Sequence, residues 1–218
     1  MDAVLVSIAF SREYEGSVAI LTMRIDIEES VMASGNVVVF LSGHGLSPDD
    51  LERSMDLRER LKTTLKIFKE CRREFHERGF SVVISGGVVY PGWKRAVSKI
   101  IRDLLVEQGI PEHCLCVEEF SWDIETGVSN AWKYHVKGLM KSLKNPTVHI
   151  VSQSLDAYMT QQMLREVSNG VCRAIVRACP YASWRTFLAG AWRFACYRAE
   201  ISAIQALHIW KQPNVHRS

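Results

Sequence analysis

Apolar residues follow two different spacings along this chain. Short continuous runs, such as VVVFL at residues 37–41 and FSVVIS at Phe80–Ser85, predict strands that are buried on both faces. Longer segments repeat an apolar residue every three or four positions, as in residues 57–78, and predict amphipathic helices. A regular alternation of such strands and helices is typical of a mostly parallel sheet covered by helices.

The alternation defines the predicted fold class. Strands are predicted at residues 37–41, 80–85, 113–119, 147–152 and 171–178, and helices at 57–78, 92–108, 127–144, 155–168 and 183–210. We therefore predict an α/β fold, with a Rossmann-like, mostly parallel sheet of about five strands and helices on both faces. Residues 1–35 do not join the alternation. We treat them as an N-terminal extension to a Rossmann-like domain at 36–218, and paired strands or an initial helix both remain open for them.

Composition and charge exclude some classes of function. The 218 residues are 47% hydrophobic and carry a formal net charge of +3, which is too small to indicate nucleic-acid binding. None of the six cysteines form a C-x-x-C pair, so we expect reduced and mostly buried thiols. The apolar N-terminal stretch has no basic start and is too short to cross a bilayer. We therefore expect no membrane span and a cytoplasmic location.

Two glycine-rich corners follow the first two predicted strands. The first contains Gly43, His44 and Gly45, and the second contains Ser85, Gly86 and Gly87. Backbone N–H groups at such corners can cradle an anion, and paired corners at one sheet edge would share a concavity. The first corner lacks the third glycine of a dinucleotide fingerprint and the lysine of a P-loop. A simple tight turn is therefore as good an interpretation as phosphate binding, and His44 is either a general acid or base or incidental.

The later strands also end in polar loops. The loop after the third strand is acidic and hydroxyl-rich, and either binds a metal or ribose or caps the next helix through Asp123 or Thr126. The loop after the fourth strand offers Ser154 or Asp156 as a helix cap. We predict no metal site. Histidine 149 is predicted to be buried in its strand, and the aromatic residues of the helices are predicted to be core or packing residues: Trp132, Tyr134, Trp184, Trp192 and Trp210.

Several of these segments together resemble a known family. The SGG corner, the segment LLVEQGIPEHCLCVEEFSWDIETGVSNAW and the segment HIVSQSLDAYMTQQM are similar to the bacterial domain-of-unknown-function family that contains YdcF, SanA and ElyC. The resemblance runs from about residue 37 to the C-terminus. It matches Gly43, Gly45, Arg60, Ser85, Gly86, Gly87, Gly109, Ile110, Pro111, Glu118, Ser121 and Asp123, and with shifted spacing Thr126 and Asn130.

The resemblance implies a Rossmann-type sheet and a link to envelope processes or to S-adenosylmethionine binding, without a settled reaction. The chain departs from the family at Val97, where an acidic residue is usual. It also departs at Asp156 and Met159, where a histidine and an arginine are usual.

Two functional hypotheses follow. The first is a small-molecule binding protein, with S-adenosylmethionine or another nucleotide as the candidate cofactor and no catalytic residue assigned. The alternative is a non-catalytic regulatory or interaction module derived from the family. The ligand site of the first hypothesis lies at the carboxyl edge of the sheet and comprises Gly43, His44, Gly45, Arg60, Ser85, Gly86, Gly87, Glu118, Ser121, Asp123, Thr126, Asn130, Ser152 and Asp156.

Overall fold

The chain divides into two units, Met1–Ser34 and Gly35–Ser218. A computed structural model describes residues 3–11, 18–26, 36–43, 54–75, 79–88, 94–143 and 146–211. In the first unit, strands β1 (Ala3–Ser11) and β2 (Val18–Asp26) pair in antiparallel fashion. Of the two possibilities that the sequence left open, paired strands are therefore correct.

The second unit contains a five-stranded parallel sheet. Its strands are β3 (Val37–Ser42), β4 (Phe80–Ser85), β5 (Leu115–Glu118), β6 (Thr147–Gln153) and β7 (Ala174–Cys179). The order across the sheet is β5-β4-β3-β6-β7, and each neighbouring pair is parallel. The first strand of this unit therefore lies at the centre, and the chain winds outward first to one side and then to the other. The predicted Rossmann-like α/β fold is confirmed.

Six helices accompany the strands in the described part of this unit. They are α1 (Met55–Phe75), α2 (Val97–Glu107), α3 (Ile124–Ala131), α4 (Lys137–Ser142), α5 (Ser154–Val167) and α6 (Trp184–Lys211). A π-helical turn at Trp132–Val136 joins α3 to α4, and a short 3₁₀ turn at Glu112–Cys114 precedes β5. Helix α2 starts five residues later than predicted. Its first two N–H groups, from Val97 and Ser98, donate to carbonyl oxygens of the second glycine corner, and this fixes the start.

The central strand supplies both halves of the core. All six residues of β3 are buried, and successive residues point to opposite faces of the sheet. Val37, Val39 and Leu41 pack with apolar residues of α1 and α2. Val38 and Phe40 pack with those of α3 and α5. The sheet is therefore covered on both faces, which explains why its strands are continuous apolar runs in the sequence.

The prediction for the helix aromatics is wrong for three residues. Tyr134, Trp184 and Trp192 are all more than half exposed, whereas Trp132 packs against the core as predicted. The two tryptophans lie on an exposed face of α6. The side chain of Trp210 lies outside the described residues.

The cysteines are free thiols, and five of them are buried or partly buried. Cys196 on α6 is exposed, so the expectation of buried thiols fails there. Among the described helices, none is both long and apolar enough to cross a membrane.

His149 provides a test of the buried sheet through the pH dependence of stability. It is buried in β6, and its Nδ1 accepts a hydrogen bond of 3.1 Å from Nε of Arg177. Burial, aided by the charge of Arg177, lowers the pKa of His149 from 6.5 to about 4. The unfolded chain therefore binds this proton first as the pH falls. The stability contributed by neutral His149 is complete above pH 6.5 and is lost as the pH falls toward 4.

We predict that this loss amounts to about 3 kcal/mol in the free energy of unfolding. Chemical denaturation of the wild-type protein and of His149→Gln across this pH range measures it, because subtracting the two curves removes the titration of the carboxylates. His113→Gln, which changes an exposed histidine, is the control and should reproduce the wild-type curve. Parallel curves for wild type and His149→Gln would contradict the prediction.

Candidate functional site

The glycine corners meet at the carboxyl edge of the sheet, as the sequence predicted, but their N–H groups are already used. Gly43 N–H donates to the Ser85 carbonyl at 2.6 Å. Gly86 N–H donates to the Glu118 carbonyl at 3.1 Å, and Gly87 N–H donates to the Ser121 carbonyl at 2.9 Å. These three groups hold neighbouring loops together and do not form an open anion cradle. His44 and Gly45 lie outside the described residues.

Two of these positions require glycine for different reasons. Gly86 has a φ of 154°, a backbone conformation that other residues rarely adopt. At Gly87, a Cβ atom would overlap the Ser121 carbonyl oxygen and lie 2.8 Å from that of Glu119. The second corner is therefore built to let two loop backbones approach closely, and a structural role accounts for both glycines.

Glu118 organises the next part of the edge. Its carboxylate is buried at the end of β5, and Oε2 accepts hydrogen bonds from the hydroxyls of Ser85 and Ser121 at 2.9 and 2.6 Å. Its Oε1 accepts from the Phe120 N–H at 2.8 Å and from the Asn130 side chain at 3.3 Å. Four donors around one buried carboxylate satisfy its charge without a counter-ion. Four predicted site residues therefore meet in one cluster.

Asp123 and Thr126 form the cap of α3. The Thr126 N–H donates to Asp123 Oδ1 at 2.7 Å, and the Asp123 N–H donates back to the Thr126 hydroxyl at 3.3 Å. This reciprocal pair is a capping box, so the cap interpretation of the acidic loop is confirmed. The cap also explains why α3 starts three residues earlier than predicted. Over the described ranges, no three side chains of His, Cys, Asp or Glu form a group able to hold a metal ion.

Arg60 occupies the point at which the strand order reverses. Its side chain is 1% exposed. Its Nε donates to Gln153 Oε1 at 2.6 Å, Nη2 donates to the same oxygen, and Nη1 donates to the Ser42 carbonyl. The Gln153 amide in turn donates to the Asp56 carbonyl at 3.2 Å. The guanidinium thus bridges the ends of β3 and β6 and does not lie at the solvated surface.

The electrostatic surroundings of Arg60 are mixed. Burial lowers the pKa of the Arg60 guanidinium, while the charges of Asp156, Cys179 and Asp56 raise it. Guanidinium groups stay protonated in proteins even when their pKa falls, so a positive charge is held at this position. The carboxylate of Asp56 is itself anchored, because Oδ1 accepts the Ala182 N–H at 2.7 Å.

Asp156 is paired with α6 across the sheet edge. Its buried carboxylate accepts two hydrogen bonds from Arg193, at 3.1 Å from Nε and at 2.8 Å from Nη2. This bidentate geometry is the strongest form of such a pair. Asp156 and Arg193 therefore form an ion pair between α5 and α6.

The predicted cap of α5 is wrong. Neither Ser154 nor Asp156 caps the helix, since both lie inside it and the residue before it is Gln153, which makes no side-chain cap. The Tyr181 hydroxyl is buried near Asp156, and it has no hydrogen-bond partner among the described residues. Burial raises the pKa of this phenol.

One line of contacts joins these groups across four strand ends. It runs from β6 to α3 through Gln153, Arg60, Ser42, Gly43, Ser85, Glu118 and Asn130. Five of these seven residues belong to the ligand site that was predicted from the sequence, namely Gly43, Arg60, Ser85, Glu118 and Asn130, and the structure places them at one edge. Ser152 is buried beside the line, and within the described part of the chain its hydroxyl has no hydrogen-bond partner.

Sequence reasoning assigned no role to several residues at this edge. Gln153 and Arg193 form hydrogen bonds with partners distant in the chain, and no local sequence pattern distinguishes them. Phe120 and Trp122 flank Ser121 and are 76% and 69% exposed. Two large aromatic residues on either side of Ser121, in an otherwise polar loop, are a pattern that was visible in the sequence.

Two surface grooves lie elsewhere on the described part of the protein. The larger, about 750 Å³, follows the outer face of α1 and is lined by both basic and acidic side chains. The smaller, about 210 Å³, lies between α3, α5 and α6. Neither is lined by the residues that join the strand ends.

Comparisons with known proteins yield no match, so the functional interpretation depends on these residues alone. No protein-family model matches the chain, and no curated protein or solved structure shows significant similarity to it. Its strand order and edge geometry define an α/β protein with a Rossmann-like sheet.

Gly87→Ala should destabilise the protein by about 2–3 kcal/mol, because the new Cβ would overlap a backbone carbonyl that cannot move aside. Thermal or urea unfolding measures the change. Gly138→Ala is the matched control, since no atom lies within 4 Å of its added Cβ. In α4 it should raise stability by about 0.5 kcal/mol. Equal stability of Gly87→Ala and wild type would show that the two loops are not in close contact.

Proposed function

We propose that the protein binds a nucleotide-like or phosphorylated small molecule at the carboxyl edge of its sheet. The site lies over the ends of β3 and β6. S-adenosylmethionine is one candidate within this class, and no reaction is assigned. In open α/β sheets, ligands bind at the point where the strand order reverses, and this is the place that Arg60 occupies.

The observation that carries the proposal is the buried Arg60 guanidinium. Removing a cation from water is costly, and an apolar residue of similar volume would stabilise a purely structural position at least as well. Here the guanidinium donates to the Gln153 side chain and to the Ser42 carbonyl, which fix it between the ends of two strands. A fixed positive charge at the reversal point favours a ligand with a negative group.

Two further features support a ligand with a ring system. The Glu118 cluster fixes the neighbouring loops through four hydrogen bonds, so the edge beside Arg60 is rigid. The aromatic residues Phe120 and Trp122 are exposed next to this cluster, and such side chains can stack against a base.

The family resemblance is part of the same proposal. The matched residues Ser85, Glu118 and Ser121 form one cluster, and Arg60 lies at the same edge. This grouping supports a divergent member of the family containing YdcF, SanA and ElyC.

Ligand binding should depend on the charge of Arg60. A thermal-shift panel of nucleotides, S-adenosylmethionine and sugar phosphates, followed by calorimetry, identifies a ligand for the wild-type protein. Gln153→Glu places a carboxylate against the guanidinium and should weaken binding of an anionic ligand by about tenfold or more. The matched control is Arg58→Gln, which changes the net charge equally at an exposed position on the same helix.

A second variant separates folding from binding. Arg60→Lys keeps the charge but loses the fork-shaped contact, so affinity should fall while circular dichroism stays unchanged. If Gln153→Glu is folded and binds the ligand as tightly as Arg58→Gln, Arg60 has no part in binding and the proposal fails.

The second candidate is a non-catalytic interaction module. The polar groups at the sheet edge already form hydrogen bonds within the protein, as the glycine N–H groups and the Asp156 carboxylate show. This favours the second candidate. A silent ligand panel, together with a partner recovered stably in pull-downs, would favour this candidate over the first.

A further inference from the structure

Helix α6 carries an exposed stripe of apolar residues. Trp184, Leu188 and Trp192 are 68%, 52% and 72% exposed, and they follow one another at intervals of four residues. This spacing places them on one face of the helix. Ala195 and Ala199 are also exposed and continue the same face toward the C-terminal half. We name the face formed by these five residues the α6 stripe.

An adjacent face of α6 packs against the protein. Ala191 and Phe194 are buried, and the Phe194 ring lies 6.0 Å from that of Tyr158 on α5. The three large side chains of the α6 stripe nevertheless stay more than half exposed. Together they expose an apolar patch on the order of 400 Å², as large as the main interaction patch of many monomers.

We infer that the α6 stripe binds a second copy of the chain in antiparallel fashion, an association independent of the proposed ligand site. This inference rests on the order of the side chains along the stripe, in which large residues are followed by small ones. With a two-fold axis midway between residues 193 and 194, Trp192 lies opposite Ala195 of the second copy and Leu188 lies opposite Ala199. Trp184 then lies within one residue of the level of Ser202. Each large side chain faces a small, exposed one, so the surface is complementary to itself.

The charges beside the stripe agree with the same pairing. Arg185 and Glu200 are both exposed. Arg185 borders the stripe beside Trp192, and Glu200 lies farther round the same side, at the edge of the groove between α3, α5 and α6. An antiparallel pair brings Arg185 of each copy close to Glu200 of the other. The Arg185 guanidinium is held over the Trp184 ring, with 5.7 Å between its Cζ and the ring centroid. A parallel pair would instead place like charges at the same level.

The apolar area that the stripe can bury determines how tightly two copies should associate. From Trp184 to Ser202 the helix rises about 27 Å. Two such faces bury on the order of 800 Å² of large apolar side chains, and the flanking residues add to this. The total lies near the lower end of specific interfaces, so the dimer should dissociate on dilution.

Light scattering and sedimentation velocity over a range of concentrations test the inference. Wild type should shift from monomer to dimer as concentration rises. Leu188→Glu should remain monomeric with unchanged circular dichroism, because residue 188 is half exposed in the protomer. Trp192→Ala should raise the dissociation constant about tenfold or more, as expected for a central interface tryptophan. Tyr134→Ala is the control, since it removes an aromatic residue that is 58% exposed on another element.

A charge exchange identifies the orientation. Arg185→Glu and Glu200→Arg should each weaken the dimer, and the double variant should restore it, because only the antiparallel pair brings the two positions together. A wild-type protein that is monomeric at every concentration overturns the inference. So does a dimer that survives Leu188→Glu, or a monomer that binds lipid vesicles through the same tryptophans.

Discussion

The burial of the Arg60 charge is the constraint on which the arrangement of the sheet edge depends. A guanidinium without water must donate its hydrogen bonds to fixed acceptors. Gln153 and the Ser42 carbonyl supply them, and both lie at the ends of the two strands between which the winding reverses. The positions of α1, β3 and β6 are therefore coupled through one side chain. The same coupling leaves α5 without a side-chain cap, because Gln153 is engaged by the arginine.

A second buried charge organises the other half of the edge in a different way. Glu118 has no cationic partner among its hydrogen bonds and is satisfied by two hydroxyls, a backbone N–H and a side-chain amide. Since those donors come from β4, from the loop after β5 and from α3, the carboxylate fixes three segments at once. The glycine corners serve the same purpose, because their N–H groups join the loops to one another. A ligand at this edge would meet side chains and rigid loops and not an open backbone cradle.

The protein thus has two surfaces with different physical characters. The carboxyl edge is polar, rigid and centred on a buried cation, and it is the proposed site for a small molecule with a negative group. The α6 stripe is apolar, exposed and formed by large residues followed by small ones along a single helix, and it suits a second helix of the same kind. Arg193 connects them in the chain, since it extends from α6 to the buried Asp156. The same helix, α6, therefore carries both the apolar stripe and the arginine of the ion pair with Asp156.

Local sequence patterns were enough to predict the fold class, most of the elements and the strand ends that carry polar residues. Those features depend on local spacing: apolar runs for doubly covered strands, a 3.6-residue period for helices and glycines where loops approach closely. The sequence also indicated that Arg60, Ser85, Glu118 and Ser121 share one edge, because carboxyl ends of parallel strands meet there. The contact of Arg60 with Gln153, 93 residues away, and the pairing of Arg193 with Asp156 depend on tertiary packing. So does the outward orientation of Trp184 and Trp192, because helical periodicity shows which residues share a face but not which element that face packs against. These outcomes depend on which elements pack together, and that is set by strand order and burial across the whole chain.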